Sequence, residues 1–74
     1  MNAISTTDLM KWIEIGAMLI NTLGLPIAAV IRLFREAGGS DEQALELVGK
    51  WADLQTSVAD RIAFLKAGIA AIEG

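Results

Sequence analysis

Apolar side chains recur along this chain at alternating steps of three and four. The first half carries Leu9, Ile13, Gly16, Ile20, Leu23, Ile27, Val30 and Phe34; the second carries Ala44, Leu47, Trp51, Leu54, Val58, Ile62, Leu65, Ile69 and Ile72. Such steps put side chains on one side of an α-helix, so each half reads as a helix with an apolar seam of coiled-coil type. Capping residues bracket both series. Ser5, followed three positions later by Asp8, opens a first helix near Thr6. Gly38-Gly39 interrupts the pattern, and Ser40 with Gln43, backed by Asp41 and Glu42, opens a second helix near Asp41. The predicted architecture is all-α: an antiparallel αα-hairpin of two long helices, about 6–37 and 41–73, turning at 38–40 within a single domain of residues 1–74. Each rod would measure roughly 48 Å at 1.5 Å per residue.

Gly24-Leu25-Pro26 complicates the first rod. In a continuous helix the Pro26 ring removes a backbone donor and clashes with the Thr22 carbonyl, which kinks the helix or costs about 3 kcal/mol. Gly24 can instead cap one helix and Pro26 begin another, giving three helices in all. Because the apolar phase runs straight through the proline, the pattern favours a kink over a break.

The two seams have different surroundings. Between Ile15 and Ile31 no residue is charged, and apolar side chains such as Ile15, Met18, Leu19, Leu25, Ala28 and Ala29 lie off the main stripe. A helix that is apolar all round needs more than one neighbour, or lipid. The second rod has Glu42, Glu46, Lys50, Asp53, Ser57 and Asp60 beside its seam, and a ridge of small residues, Ala52, Ala59, Ala63, Ala67 and Ala70, that lets another backbone approach. One hairpin partner cannot cover the first rod. The pattern therefore predicts an oligomeric helical bundle with the first rods central and the acidic second rods outside.

Composition supports association over stapling. A chain of 74 residues has little core of its own, and with no Cys and no His it has no disulfide, no thiolate metal site and no imidazole base. Its apolar fraction is 54%, above the usual ~45–50%. The net charge of -3 resides in residues 39–74, the first 38 being neutral. Without a clustered basic stripe, nucleic-acid binding is not expected. The acids lie along the wet sides of the rods, with no phosphate-cradling loop and no nucleophile paired to a base, so the chain is read as non-enzymatic, with no cofactor and no metal.

Membrane insertion is the alternative. The Ile15–Ile31 run meets the lower limit of about 17 residues for a spanning helix. Trp12 and Phe34 flank it, Lys11, Arg32 and Arg35 supply basic ends, and Gly24 with Ala28 forms a small-xxx-small pair. Glu14, Asn21, Thr22 and the central Gly and Pro weigh against it. A signal peptide is not expected, since the start is not basic and the apolar run comes late.

Several single residues have specific expectations. Trp51 should be a core knob, and Trp12 should lie at a subunit boundary or a lipid interface. Phe64, one position off the seam, marks either a second contact surface or plain exposure. Asn21, in apolar surroundings, should pair with a symmetry mate or a carbonyl and fix register. The interface residues expected from the seams are Leu9, Ile13, Ile20, Leu23, Ile27, Val30 and Phe34 on the first rod and Leu47, Trp51, Leu54, Val58, Ile62, Leu65 and Ile69 on the second.

The layout of a short apolar first helix, a Gly-Gly-Ser-Asp-Glu-Gln turn at 38–43 and an acidic amphipathic tail through Trp51 and Arg61 resembles small uncharacterised proteins encoded by tailed bacteriophages. That resemblance implies a virion accessory or assembly subunit, or a small host-directed protein, and accommodates a holin-like membrane role. It carries no functional residue across. The function expected from the sequence is self-association, or docking into a larger protein assembly, in the cytoplasm or within a virus particle, with the membrane as the alternative location.

Overall fold

The computed structural model describes residues 4–74. Among them are four helices and no strand: α1 (Thr6–Asn21), α2 (Ile27–Glu36), α3 (Asp41–Asp53) and α4 (Val58–Glu73). The all-α class holds, but each expected rod is broken once, so four short helices replace the two-helix hairpin. The dimensions show the same thing. The longest axis is 36 Å, too short for rods of roughly 48 Å. The radius of gyration is 11.3 Å, equal to the value of about 11.3 Å for a compact domain of this length.

Local capping explains where each helix starts. The Ser5 hydroxyl accepts from the Asp8 N–H at 3.2 Å and α1 begins at Thr6. At α3 the capping box is complete: the Gln43 N–H donates to Ser40 Oγ at 3.2 Å while Gln43 Oε1 accepts from the Ser40 N–H at 3.3 Å. The Gln43 amide also receives the Ile4 N–H at 3.0 Å and donates to the Ile4 carbonyl at 2.7 Å, tying the segment before α1 to the start of α3. Between α2 and α3, Gly38 has φ 105°. Its N–H donates to the Arg35 carbonyl and that of Gly39 to the Phe34 carbonyl, each at 3.0 Å, forming the Schellman turn that glycine permits. Gly39 serves a different need, because a methyl there would strike the Phe34 ring.

The first break resolves the Pro26 question against a kink. α1 stops at Asn21, Gly24 takes φ 72°, and the Leu25 N–H reaches back to the Leu19 carbonyl at 3.0 Å. Pro26 is the N-cap of α2, in extended conformation, one position earlier than the helical start expected of it. The second break, at residues 54–57, was not expected. Leu54 and Gln55 tighten the end of α3 with i−3 bonds, and the Ser57 hydroxyl accepts from the Asp60 N–H at 3.0 Å to start α4. The signal was in the chain: Ser57 and Asp60 repeat the spacing of Ser5 and Asp8. A four-residue step from Leu54 to Val58 masked it, because step length alone does not report whether the helix between two residues is intact.

α2 and α3 touch one another, and α1 and α4 each pack against both. The core consists of Leu9, Val30, Ile31, Phe34, Ala44, Leu47, Val48, Trp51 and Ala52, all apolar. Trp51 anchors it. Its ring lies on Gly16 of α1, and its Nε1–H donates to the Ile13 carbonyl at 3.0 Å. A methyl at position 16 would overlap the indole. The side chain is 1% exposed and has nowhere to retreat. Gly16→Ala is therefore expected to lower stability by about 1–3 kcal/mol, the usual range for overpacking, despite the better helix propensity of Ala. Urea denaturation followed by circular dichroism checks this, and an unchanged or raised midpoint would show that α1 does not approach Trp51 so closely.

Candidate interaction surface

The expected interface residues divide into three groups. Leu9, Val30, Phe34, Leu47 and Trp51 are buried in the chain's own core, and Ile13, Ile20 and Ile27 are half-buried against it. Leu23, Leu54, Val58, Ile62, Leu65 and Ile69 are exposed. For the first two groups the cover expected from companion chains comes from other helices of the same chain. The break at Gly24 makes this possible: a single rod cannot fold onto itself, but α1 and α2 pack together and leave Leu19, Leu25 and Ala29 only partly exposed.

Other expectations shift for the same reason. The Trp12 ring lies edge-on to Phe34, centroids 5.3 Å apart and planes at 76°, so it belongs to the contact between α1 and α2. Asn21 ends α1 and is exposed, which removes the need for a buried partner. The Ile15–Ile31 run is not one helix, and no helix among the described residues is long and apolar enough to cross a membrane. A span through this run would carry the non-helical residues 22–26 into lipid, where a break in the helical hydrogen-bond ladder is costly.

α4 departs furthest from its sequence reading. The residues it turns inward are Phe64, Gly68, Ala71 and Ile72, of which only Ile72 belonged to the expected seam. Gly68 is buried beside Val48, where a methyl would collide with the valine side chain. Arg35 holds the far end of the helix, donating to the Ile72 carbonyl from Nη2 and pairing with Asp41 at 3.1 Å, while Arg61 Nε donates to the Gln55 carbonyl at 3.1 Å near its start. With α4 fixed in that rotation, the predicted seam lies outside. Val58 is 67% exposed, Ile62 48%, Leu65 38% and Ile69 41%.

Those four side chains form an unbroken stripe roughly a quarter turn around the helix from the buried face, at 3.6 residues per turn. Leu54, at the C-cap of α3, is also exposed and precedes the stripe in the chain. The other exposed apolar residues are more scattered. On α1, Met10, Ile15 and Met18 are interleaved with Lys11 and Glu14. A continuous apolar stripe on a small domain differs from scattered exposure, which is ordinary.

The surface offers little else with chemical character. All nine acids are exposed, and no polar or charged side chain is buried among the described residues. No family model, curated protein or solved structure matches this chain.

Proposed function

We propose that this protein works by association, docking the outer stripe of α4 on a protein partner rather than performing chemistry. The observation carrying this reading is the exposure of Val58, Ile62, Leu65 and Ile69 together on one helix whose other side is already anchored. Burying large aliphatic side chains contributes on the order of 1.5–3 kcal/mol each when complete, so a partner covering this stripe gains more than one meeting α1, where Lys11 and Glu14 between the exposed apolar residues would also have to be desolvated. The resemblance to small phage-encoded proteins makes a virion or its assembly intermediate the proposed setting.

Ile62→Asp tests the proposal because it puts a charge in the stripe while leaving the core intact. Unfolding stability should change by less than about 1 kcal/mol, as for exposed helix positions. In the cells that encode the protein, brief chemical cross-linking followed by gradient sedimentation without detergent should find the natural chain in a protein complex and Ile62→Asp in the free pool. An identical distribution for both chains, or recovery only in detergent, would refute this role.

A further inference from the structure

We infer that the stripe on α4 takes a second copy of this chain, with the two α4 helices antiparallel about a twofold axis passing between Ile62 and Leu65. The inference rests on the docking role proposed for α4 and names its partner. Two features of the helix support it.

The first is spacing. Val58, Ile62, Leu65 and Ile69 are separated by four, three and four, an order that reads the same from either end. Reversing one helix therefore sets Val58 against Ile69 of the second copy and Ile62 against Leu65, so every apolar side chain meets another. Twofold contacts require such self-complementarity, because residue i meets j wherever j meets i.

Charge supplies the second. α3 holds Asp41, Glu42, Glu46 and Asp53 against Lys50 alone, so a second copy approaching there meets like charge. α4 balances Asp60 and Glu73 against Arg61 and Lys66. Charge also chooses the direction. In a parallel pair the residues flanking the seam would bring Arg61 beside Lys66 of the second copy, twice over, whereas the antiparallel pair sets Lys66 near Ala59 and Arg61 near Gly68. Opposed helix dipoles favour the same direction by a small amount.

The area available fixes the strength. Sixteen residues give a helix roughly 24 Å long and about 10 Å across, a smaller footprint than the ~800 Å² per partner of a standard stable interface. The dimer should dissociate at about 1–100 µM, since interfaces of full standard size already extend to micromolar affinity.

The absence of Cys makes cross-linking clean. Val58→Cys and Ile69→Cys chains are prepared separately, mixed at several hundred micromolar and oxidised, and light scattering on the natural chain runs alongside. The expected result is a natural chain approaching dimer mass and a mixed disulfide exceeding both symmetric ones several-fold. Either symmetric disulfide dominating would indicate parallel packing, and purely statistical yields, with the mixed disulfide merely double each symmetric one, would indicate random collision; both overturn the proposal. A natural chain that remains monomeric at about 1 mM, far above the expected dissociation constant, also overturns it. These failures leave the docking role of α4 standing, because Ile62→Asp tests that role in the cellular complex without assuming what the partner is.

Discussion

Trp51→Ala should remove a large part of this protein's stability. Truncating a buried Trp costs about 3–5 kcal/mol, and a chain of 74 residues has a total of roughly 4–11 kcal/mol to lose. The site magnifies the effect because Trp51 joins α3 to α1 in two ways: its ring fills the space left by Gly16, and its Nε1–H reaches the Ile13 carbonyl. Trp51→Phe separates them, keeping most of the apolar bulk while losing the hydrogen bond, which is worth about 0.5–1.5 kcal/mol. Urea titration monitored by circular dichroism in dilute protein should rank natural chain, Phe and Ala in that order of stability. Loss of under about 1 kcal/mol in the Ala variant would mean that Trp51 is not the packed centre described.

The second large effect is expected at Phe34, with its neighbour as the control. Phe34 is fully buried, receives the edge of Trp12 and fills the space beside Gly39; Leu33 is 44% exposed. Phe34→Ala should cost about 3–5 kcal/mol, and Leu33→Ala well under half of that, because adjacent helical positions point in different directions. Thermal unfolding of the pair provides the comparison. Similar losses at both positions would mean that α2 is rotated from the orientation described, or that Leu33 is covered by a partner under the conditions used.

These two residues mark how much of the core was legible in the chain. Phe34, Val30, Leu47 and Trp51 lie on the three-and-four pattern, and all four are buried. Within any one helix the pattern reports a face, and a face with that many large apolar groups is turned to the interior. Ile31, Val48 and Ala52 are also buried but lie beside the pattern, because each central helix has neighbours on more than one side. A single stripe cannot record two contacts.

Beyond the middle of the second half the pattern still described spacing but no longer described burial. Residues 54–57 break the helix, and α4 re-enters at its own rotation, set by the fit of Gly68 against Val48 and by the Arg35 bond to the Ile72 carbonyl. Phe64, noted in the sequence as lying off the seam, is part of the buried face for that reason. Its two readings, second contact surface and plain exposure, were separated by the rotation of one helix and by no property of Phe64 itself. The candidate site was thus visible as residues but not as a surface.

The chain by itself determined the helical class, the starts of α1 and α3 and the apolar faces of α2 and α3, because capping and periodicity act over one or two turns and are written in neighbouring residues. Tertiary structure decided that the apolar run folds onto its own chain and that Val58, Ile62, Leu65 and Ile69 face outward. Both outcomes follow from breaks of four or five residues, at 22–26 and 54–57, that free one helix to rotate against the next. Which rotation is adopted depends on contacts between residues tens of positions apart, such as Trp51 with Gly16 and Val48 with Gly68, and no local pattern encodes those.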